Sequence, residues 1–247
     1  MKQQIIQIIK RWPAFYRCIS KIYWTFNFHH LTELFIGTKA RERQWAARPI
    51  AEGYWDNRDH PSKHFLAERI AAFSPIHSIL EVGCASGPNL YLLAKRFPQA
   101  QIVGIDINQE AVQYGNGQFA REGISNVKLF VGKADKLGEF QDRAFNIVFT
   151  VSLLIYIGPD KIKEVIEGIL RITHHALVLI ELHCFEPDTK DPLGHGIYRY
   201  GNWVRDYAAL LKQFVPEEQI RVTKIPEDVW PAEPWKELGT VIEVARL

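Results

Sequence analysis

Cysteine is scarce in this chain of 247 residues: Cys18, Cys84 and Cys184 are the only three. An odd number of widely separated thiols excludes a disulfide framework and points to a reducing, cytoplasmic compartment. No Cys/His spacing of the metal-binding kind occurs, so no metal is expected. No apolar run approaches the roughly 20 residues of a membrane-spanning helix. The opening MKQQIIQIIKRW is too short and too interrupted to read as a secretory leader. Internal repeats and low-complexity tracts are absent. The net charge is only +2, so the average carries no sign of nucleic-acid binding.

What is present divides unevenly. Residues 1–45 carry eight basic side chains against two acidic ones, so the rest of the chain is net acidic. Ile5, Ile8, Ile9 and Trp12 recur at helical spacing, as do Phe15, Ile19, Ile22 and Phe26. Residues 1–50 are thus expected to form basic amphipathic helices. They would serve as a lid over a domain spanning residues 51–247, or as a peripheral anchor at the inner membrane surface. EGYWDNRDHP (Glu52–Pro61) reads as an aromatic, polar connector, and Leu66, Ile70 and Phe73 stripe a further helix.

After Pro75 the rhythm changes. β-rich runs at Ile79–Val82, Ile102–Ile105, Val127–Val131, Ile147–Thr150 and Ala176–Leu182 alternate with helical patterns starting near Pro88, Gln109 and Pro159. A last helix over Val204, Tyr207, Ala208 and Leu211 precedes RVTKI and TVIEVARL, which suit an antiparallel edge. The alternation predicts an α/β fold, a doubly wound, mostly parallel seven-stranded sheet with helices on both faces.

In such sheets ligands lie beyond the carboxyl ends of the strands. ILEVGCASGPNL puts Gly83, Ala85, Ser86 and Gly87 at the first strand-to-helix turn, where small residues let a ligand lie against the main chain. The spacing is G-x-x-x-G, not the G-x-G-x-x-G of dinucleotide binders, which disfavours a nicotinamide oxidoreductase. Glu81 stands two residues before the loop, where a carboxylate suits a ligand with a cationic amine. Asp106 ends the next strand in IVGIDIN, placed to accept both hydroxyls of a ribose.

Taken in order, ILEVGCASG, IVGIDIN, LFVGKAD and FNIVFTVSLLIYI resemble the motif set of the class I S-adenosylmethionine-dependent methyltransferases. The resemblance implies S-adenosyl-L-methionine as cofactor. It implies that Glu81, Gly83, Ala85 and Gly87 lie along the methionine end and that Asp106 and Ile107 hold the ribose. Ala134 and Asp135 would border the adenine, and Thr150 would face the cofactor from the fourth strand. Two departures matter. Ala85 replaces the usual middle glycine, a small change if its φ is negative. Lys133 stands where the family often has an aspartate, and an ammonium cannot accept a hydrogen bond. Asp135 is expected to substitute.

Methyl transfer chiefly needs alignment, with a base for an oxygen acceptor. Motifs for methylating nucleic-acid bases are absent, so no nucleic-acid partner is expected. The candidates for catalysis are His183 at the end of the fifth strand, His195 in DPLGHGIYRYGNW, and Tyr156 after the fourth strand. Tyr54, Trp55 and Arg58 are the candidates for contact with the acceptor. The expected activity is methylation of a small-molecule or carbohydrate-like acceptor, O-methylation favoured. The alternatives are a small-amine N-methyltransferase and a non-catalytic S-adenosylmethionine-binding protein.

Overall fold

The computed structural model describes residues 37–186 and 194–245. The two helices expected before residue 27 lie outside them, together with most of the charge expected to serve as an anchor. Seven strands form one sheet: β1 (Ser78–Val82), β2 (Gln101–Asp106), β3 (Val127–Val131), β4 (Phe145–Val151), β5 (Thr173–Leu182), β8 (Ile220–Lys224) and β9 (Gly239–Ala245). Their order is β3-β2-β1-β4-β5-β9-β8. The first five are parallel, and β9 runs antiparallel to both its neighbours. The doubly wound expectation holds, and the late strands pair antiparallel as expected.

Period-two alternation divides the core. Ile79, Ile102, Ile147, Phe149 and Val178 face one side with Leu66, Ile70, Leu90, Leu93 and Phe119. Leu80, Ile105, Val148, Leu177 and Leu179 face the other with Ile162, Val165, Ile166 and Ile169. Strands buried on both faces read as continuous Ile/Val/Leu runs, which is why the sequence marks them so clearly. The helices on the first face are α3 (Pro61–Ala71), α4 (Pro88–Arg96) and α5 (Gln109–Arg121); α6 (Ile162–Ile172) covers the second. α6 begins three residues beyond the expected Pro159.

Before the sheet stand α1 (Thr38–Ala46) and α2 (Ala51–Asp56). The stretch Glu52–Pro61, read as a connector, is therefore partly helical. Trp55 drives this, because it is buried edge-on against Phe119 and Tyr91. α1 is fastened to the domain: Thr38 Oγ1 donates to Asp160 (2.8 Å) and accepts from Gly158 N (2.7 Å), and Glu42 pairs with Lys133 (2.8 Å). Asn108 Nδ2 donates to the carbonyls of Trp45 (2.9 Å) and Arg48 (2.8 Å).

The region expected as a loop after β5 contains a hairpin, β6 (Ile197–Arg199) and β7 (Asn202–Val204). Tyr200 and Gly201 both adopt positive φ (54° and 78°), the requirement of a type I′ turn. β7 takes Val204 out of the following helix, α7, which spans only Tyr207–Leu211. A short helix, α8 (Trp235–Leu238), leads into β9.

Candidate active site

The chain turns from β1 to β2 on one side of β1 and reaches β4 on the other, so a crevice opens at the carboxyl ends of these strands. A cavity of about 400 Å³ fills it. Its walls come from four consecutive strand ends: Gly83 and Ala85 after β1, Asp106 and Ile107 after β2, Ala134 and Asp135 after β3, and Val151 to Leu153 after β4. α1 and α2 close the opening with Arg41, Glu42, Trp45 and Tyr54.

The floor is main chain. Gly83 has φ +82°, and a Cβ there would lie 2.8 Å from Leu153 Cδ1, so glycine is required on both counts. Ala85 has φ +48°, so it does not satisfy the condition under which its replacement of glycine is small. An L-residue in this region costs roughly 1–2 kcal/mol. Its methyl is buried among Ile50, Ala51 and Ala111, which offsets part of that cost.

Asp106 accepts from Ala85 N through Oδ2 and from Asn108 N through Oδ1, both at 2.8 Å. A carboxylate has about four lone-pair directions, so each oxygen keeps one for a further donor. Burial pushes its pKa up, against those amide hydrogen bonds. Asp135 has one oxygen paired with Lys161 (3.0 Å), while Oδ1 is buried with no hydrogen-bond partner. Lys133 is turned to Glu42 instead. At the other end Glu81 is fully buried, and Asn89 donates to its Oε1. Glu81 Oε2 and Asn89 Oδ1 are buried without partners. Glu81 lies behind Asn89 and does not line the cavity, and burial pushes its pKa up to about 8. The acceptors that do line it, Asn89, Asp106 and Asp135, fit the donors of S-adenosylmethionine: an ammonium, a ribose diol and an adenine amine.

Residues 79–175 match the family described as "Methyltransferase domain". Over this segment the chain is similar to a methyltransferase domain, and its sheet order is that of the fold expected from the sequence. The chain is 27% identical over 130 residues to a sterol 4-C-methyltransferase of Caenorhabditis elegans, covering 51% of this chain and 38% of that protein. It is 34% identical over 71 residues to a trans-aconitate 2-methyltransferase of Afipia carboxidovorans, covering 28% of this chain and 26% of that protein. The chain spans at most 38% of the length of the curated relatives it matches. Its fold is that of a SAM-dependent methyltransferase from Aquifex aeolicus, with a TM-score of 0.52 at 16% identity over 85% of this chain and 98% of that one.

Within the matched segment and its helical cover, the structure brings together Tyr54, Gly83, Ala85, Asp106, Ile107, Ala134, Asp135 and Tyr156 around the cavity. Other candidates face elsewhere. Gly87, with φ +81°, caps α4 and packs on Phe119. β4 runs one residue past Thr150, and alternation turns Thr150 Oγ1 into the sheet, where it donates to Glu181 (2.7 Å). Trp55 is in the core, because neighbours on a helix point about 100° apart and Tyr54 takes the cavity side. Arg58 lies over Trp55 and Tyr91 and faces Glu122 at 3.9 Å.

Neither candidate histidine lines the cavity. His183 is buried between Phe185 and Tyr207, and its Nδ1 accepts from Tyr207 N (3.2 Å). Burial lowers its pKa. His195 offers its carbonyl to Arg205 Nε (2.8 Å). Tyr156 does face the cavity, with its ring 4.7 Å from that of Trp45. Burial pushes its pKa up to about 12, so at neutral pH it is a donor and not a base.

The turn that carries Leu153 and Tyr156 is held from two directions. Glu181 accepts from Leu153 N and Leu154 N (both 3.1 Å) and Ile155 N (3.3 Å). Arg205 donates to the carbonyls of Leu154 and Ile157. Both charges are completely buried, and they brace this wall without touching the cavity.

The sequence reading passed over Arg41, Trp45, Asn57, Lys63, Asn89 and Trp230, all of which line the cavity. Lys63 had a signal. It lies at i of the stripe Lys63, Leu66, Ala67, Ile70, all buried, and a lysine on a buried stripe has a reason to be there. Trp230 lies in a loop before β9, and nothing local connects it to the site.

Proposed function

We propose that the protein transfers a methyl group from S-adenosylmethionine to a small-molecule acceptor, with oxygen as the favoured atom. The observation that carries this is the set of acceptors along one cavity: Asn89 Oδ1 and Asp135 Oδ1, both buried without partners, and the Asp106 carboxylate with a lone pair left on each oxygen, above a floor of main chain at Gly83 and Ala85. When bound, the cofactor supplies an activated methyl on sulfur. The chain's own residues bind, orient and shield. Asn89, held by Glu81 behind it, accepts from the ammonium, Asp106 accepts from the ribose, and Asp135 accepts from the adenine. Tyr54, Trp45 and Tyr156 surround the remaining space, where the acceptor sits. They exclude water, and their faces attract positive charge by about 0.5–2 kcal/mol.

The ionisable groups around the cavity refine the acceptor. The phenols of Tyr54 and Tyr156 are both pushed up by burial, and neither named histidine reaches the space. An acceptor that arrives ionised, such as a carboxylate or enolate, needs no base from the protein. A neutral sugar hydroxyl does need one, so an acid suits this cavity better than a carbohydrate. The test is incubation with radiolabelled methyl donor and pooled small organic acids, sugars, phenols and amines. The expected result is label in the acid pool. Label only in amines would overturn the preference for oxygen. Binding of the donor with no transfer to any pool would favour a non-catalytic binding protein.

Peripheral membrane contact through residues 1–45 is a separate proposal, resting on the excess of basic charge there. Among the described residues no helix is long and apolar enough to cross a membrane. Arg41 is turned inward, to Tyr198 Oη and the Gly201 carbonyl (2.9 Å), so it is not part of such a surface.

A further inference from the structure

The cations lining the cavity are Arg41, Lys63 and Lys133. Arg41 donates to Tyr198 Oη and the Gly201 carbonyl (2.9 Å), and Lys133 pairs with Glu42 (2.8 Å). Lys63 has no such partner among the described residues: no hydrogen bond or ion pair reaches its amine. It lies in the first turn of α3 with 8% of its surface exposed. The N-terminal end of a helix is an unfavourable place for a positive charge. Burial lowers the pKa of Lys63, and the attraction of Glu81 opposes that. Burial also pushes Glu81 toward its neutral form, so it does not cancel the ammonium. A buried cation in this position is stabilised when a ligand brings the anion.

The place of Lys63 in the fold points to the acceptor as that ligand. The groups assigned to the methyl donor, Asp135, Asp106 and Asn89, follow β3, end β2 and stand on α4. Lys63 stands one helix further along, on α3, which packs toward the antiparallel edge of the sheet: its Arg69 pairs with Glu243 of β9. Trp230 comes from the same side. It lines the cavity from the loop between β8 and β9, stacks on Trp235 of α8 at 4.1 Å, and faces His60, just before α3, at 6.5 Å. Trp230 and Lys63 thus bring an aromatic plane and a cation to the side of the crevice opposite Asp106 and Asp135. Ser152 and Leu153, after β4, line the cavity between the two sides. A charge pair formed beside an apolar plane is screened less than one in water.

We propose that Lys63 holds a carboxylate of the acceptor beside Trp230, and that the acceptor is a small dicarboxylate whose second carboxylate receives the methyl group. The proposal rests on the methyl-donor reading of the cavity and narrows its acid acceptor to one with two negative charges. The carboxylate paired with Lys63 has its charge neutralised, which makes it the poorer nucleophile of the two. The free carboxylate attacks. One of its oxygen lone pairs forms the bond to the methyl carbon, the methyl–sulfur bond breaks, and that electron pair stays on sulfur. The products are S-adenosylhomocysteine and a monomethyl ester that keeps one negative charge. No proton moves, so the step needs no base from Tyr54 or Tyr156.

The full chain is titrated by calorimetry with S-adenosylhomocysteine. The saturated complex is then titrated with malonate, succinate, glutarate and adipate, each against the monocarboxylate of the same carbon number. Transfer to the same acids is followed with radiolabelled methyl donor. Wild type is expected to bind and methylate one of the dicarboxylates about tenfold or more better than its monocarboxylate. Lys63→Met should weaken that dicarboxylate about ten- to hundredfold, the value of a hydrogen bond to a charged group, and leave S-adenosylhomocysteine within about twofold. Lys63→Arg should restore most of the loss. If wild type does not bind S-adenosylhomocysteine, the methyl-donor reading fails and the proposal fails with it. If wild type binds it but no dicarboxylate exceeds its monocarboxylate, or Lys63→Met keeps the wild-type preference, the proposal fails while that reading stands. If Lys63→Met weakens S-adenosylhomocysteine by about tenfold or more, Lys63 serves the donor and the proposal is wrong. Should Lys63→Met not fold, Lys63→Gln takes its place. Loss of the dicarboxylate preference in Lys63→Gln, with retention in Lys63→Arg, supports the proposal, and a preference kept in Lys63→Gln refutes it.

Discussion

Gly115 and Gly117 lie two residues apart on α5 and should respond oppositely to alanine. A Cβ on Gly115 would fall 2.3 Å from the Ser86 carbonyl oxygen and 2.6 Å from Leu129 Cδ1; one on Gly117 would meet nothing within 4 Å. Both substitutions gain about 1 kcal/mol of helix propensity. For Gly117→Ala that gain stands alone. At 2–4 °C per kcal/mol for a chain of this size, the melting temperature should rise by about 2–4 °C. Gly115→Ala must displace main chain, at the upper end of the roughly 1–3 kcal/mol that overpacking costs. Its net effect is a loss of about 2 kcal/mol, or about 4–8 °C. The displaced main chain is Ser86, beside the cavity floor at Ala85, so Gly115→Ala should also weaken S-adenosylhomocysteine while Gly117→Ala does not. Thermal unfolding and calorimetry on both variants make the comparison. If Gly115→Ala is as stable as Gly117→Ala and binds equally, α5 does not press on the β1–α4 loop and the account of how the floor is held is wrong.

Three further outcomes follow from the same geometry. Burial raises the pKa of Glu181 to about 7, so the folded protein holds this proton more tightly than the unfolded chain. Stability from this group is complete below about pH 4 and falls as pH rises through 7, by roughly 3 kcal/mol; Glu181→Gln should flatten the pH dependence of chemical denaturation between pH 5 and 7, and an unchanged slope would assign it elsewhere. His183→Ala removes the acceptor of a buried amide and should cost about 1–3 kcal/mol in denaturation, with S-adenosylhomocysteine affinity and turnover per folded molecule unchanged; lost turnover would return His183 to catalysis. At Ala85, relief of the positive φ by glycine is offset by chain entropy and a lost buried methyl, so Ala85→Gly should shift stability by less than about 1 kcal/mol. Ala85→Val, β-branched at positive φ, should lower the melting temperature sharply.

The sequence was most legible where burial is complete on both faces. β1, β2, β4 and β5 read as strands because each holds a run of buried apolar residues, and the Gly83 and Asp106 positions follow from where β1 and β2 stop. Direction within an element was less legible. Tyr54 and Trp55, or Thr150 and Val151, are neighbours in sequence, yet one of each pair faces the cavity and the other the interior. His183 ends β5 at the correct edge of the sheet, but its ring turns to cap α7 rather than face the ligand. Least legible were contacts made through tertiary structure: Trp230 reaches the site from a distant loop, and Trp45 reaches Tyr156 through the docking of α1. Lys63 was legible in principle, as a charge on an otherwise apolar stripe.

The central claim is that the crevice at the ends of β1, β2, β3 and β4 holds a methyl donor through Asp106. Calorimetry of S-adenosylhomocysteine with wild type and Asp106→Asn tests it most directly. Wild type should bind at one site, and Asp106→Asn, which keeps the size of the side chain but loses its charge, should weaken binding about ten- to hundredfold. A folded Asp106→Asn protein with wild-type affinity, or a wild-type protein that binds NADH and not S-adenosylhomocysteine, would contradict the account.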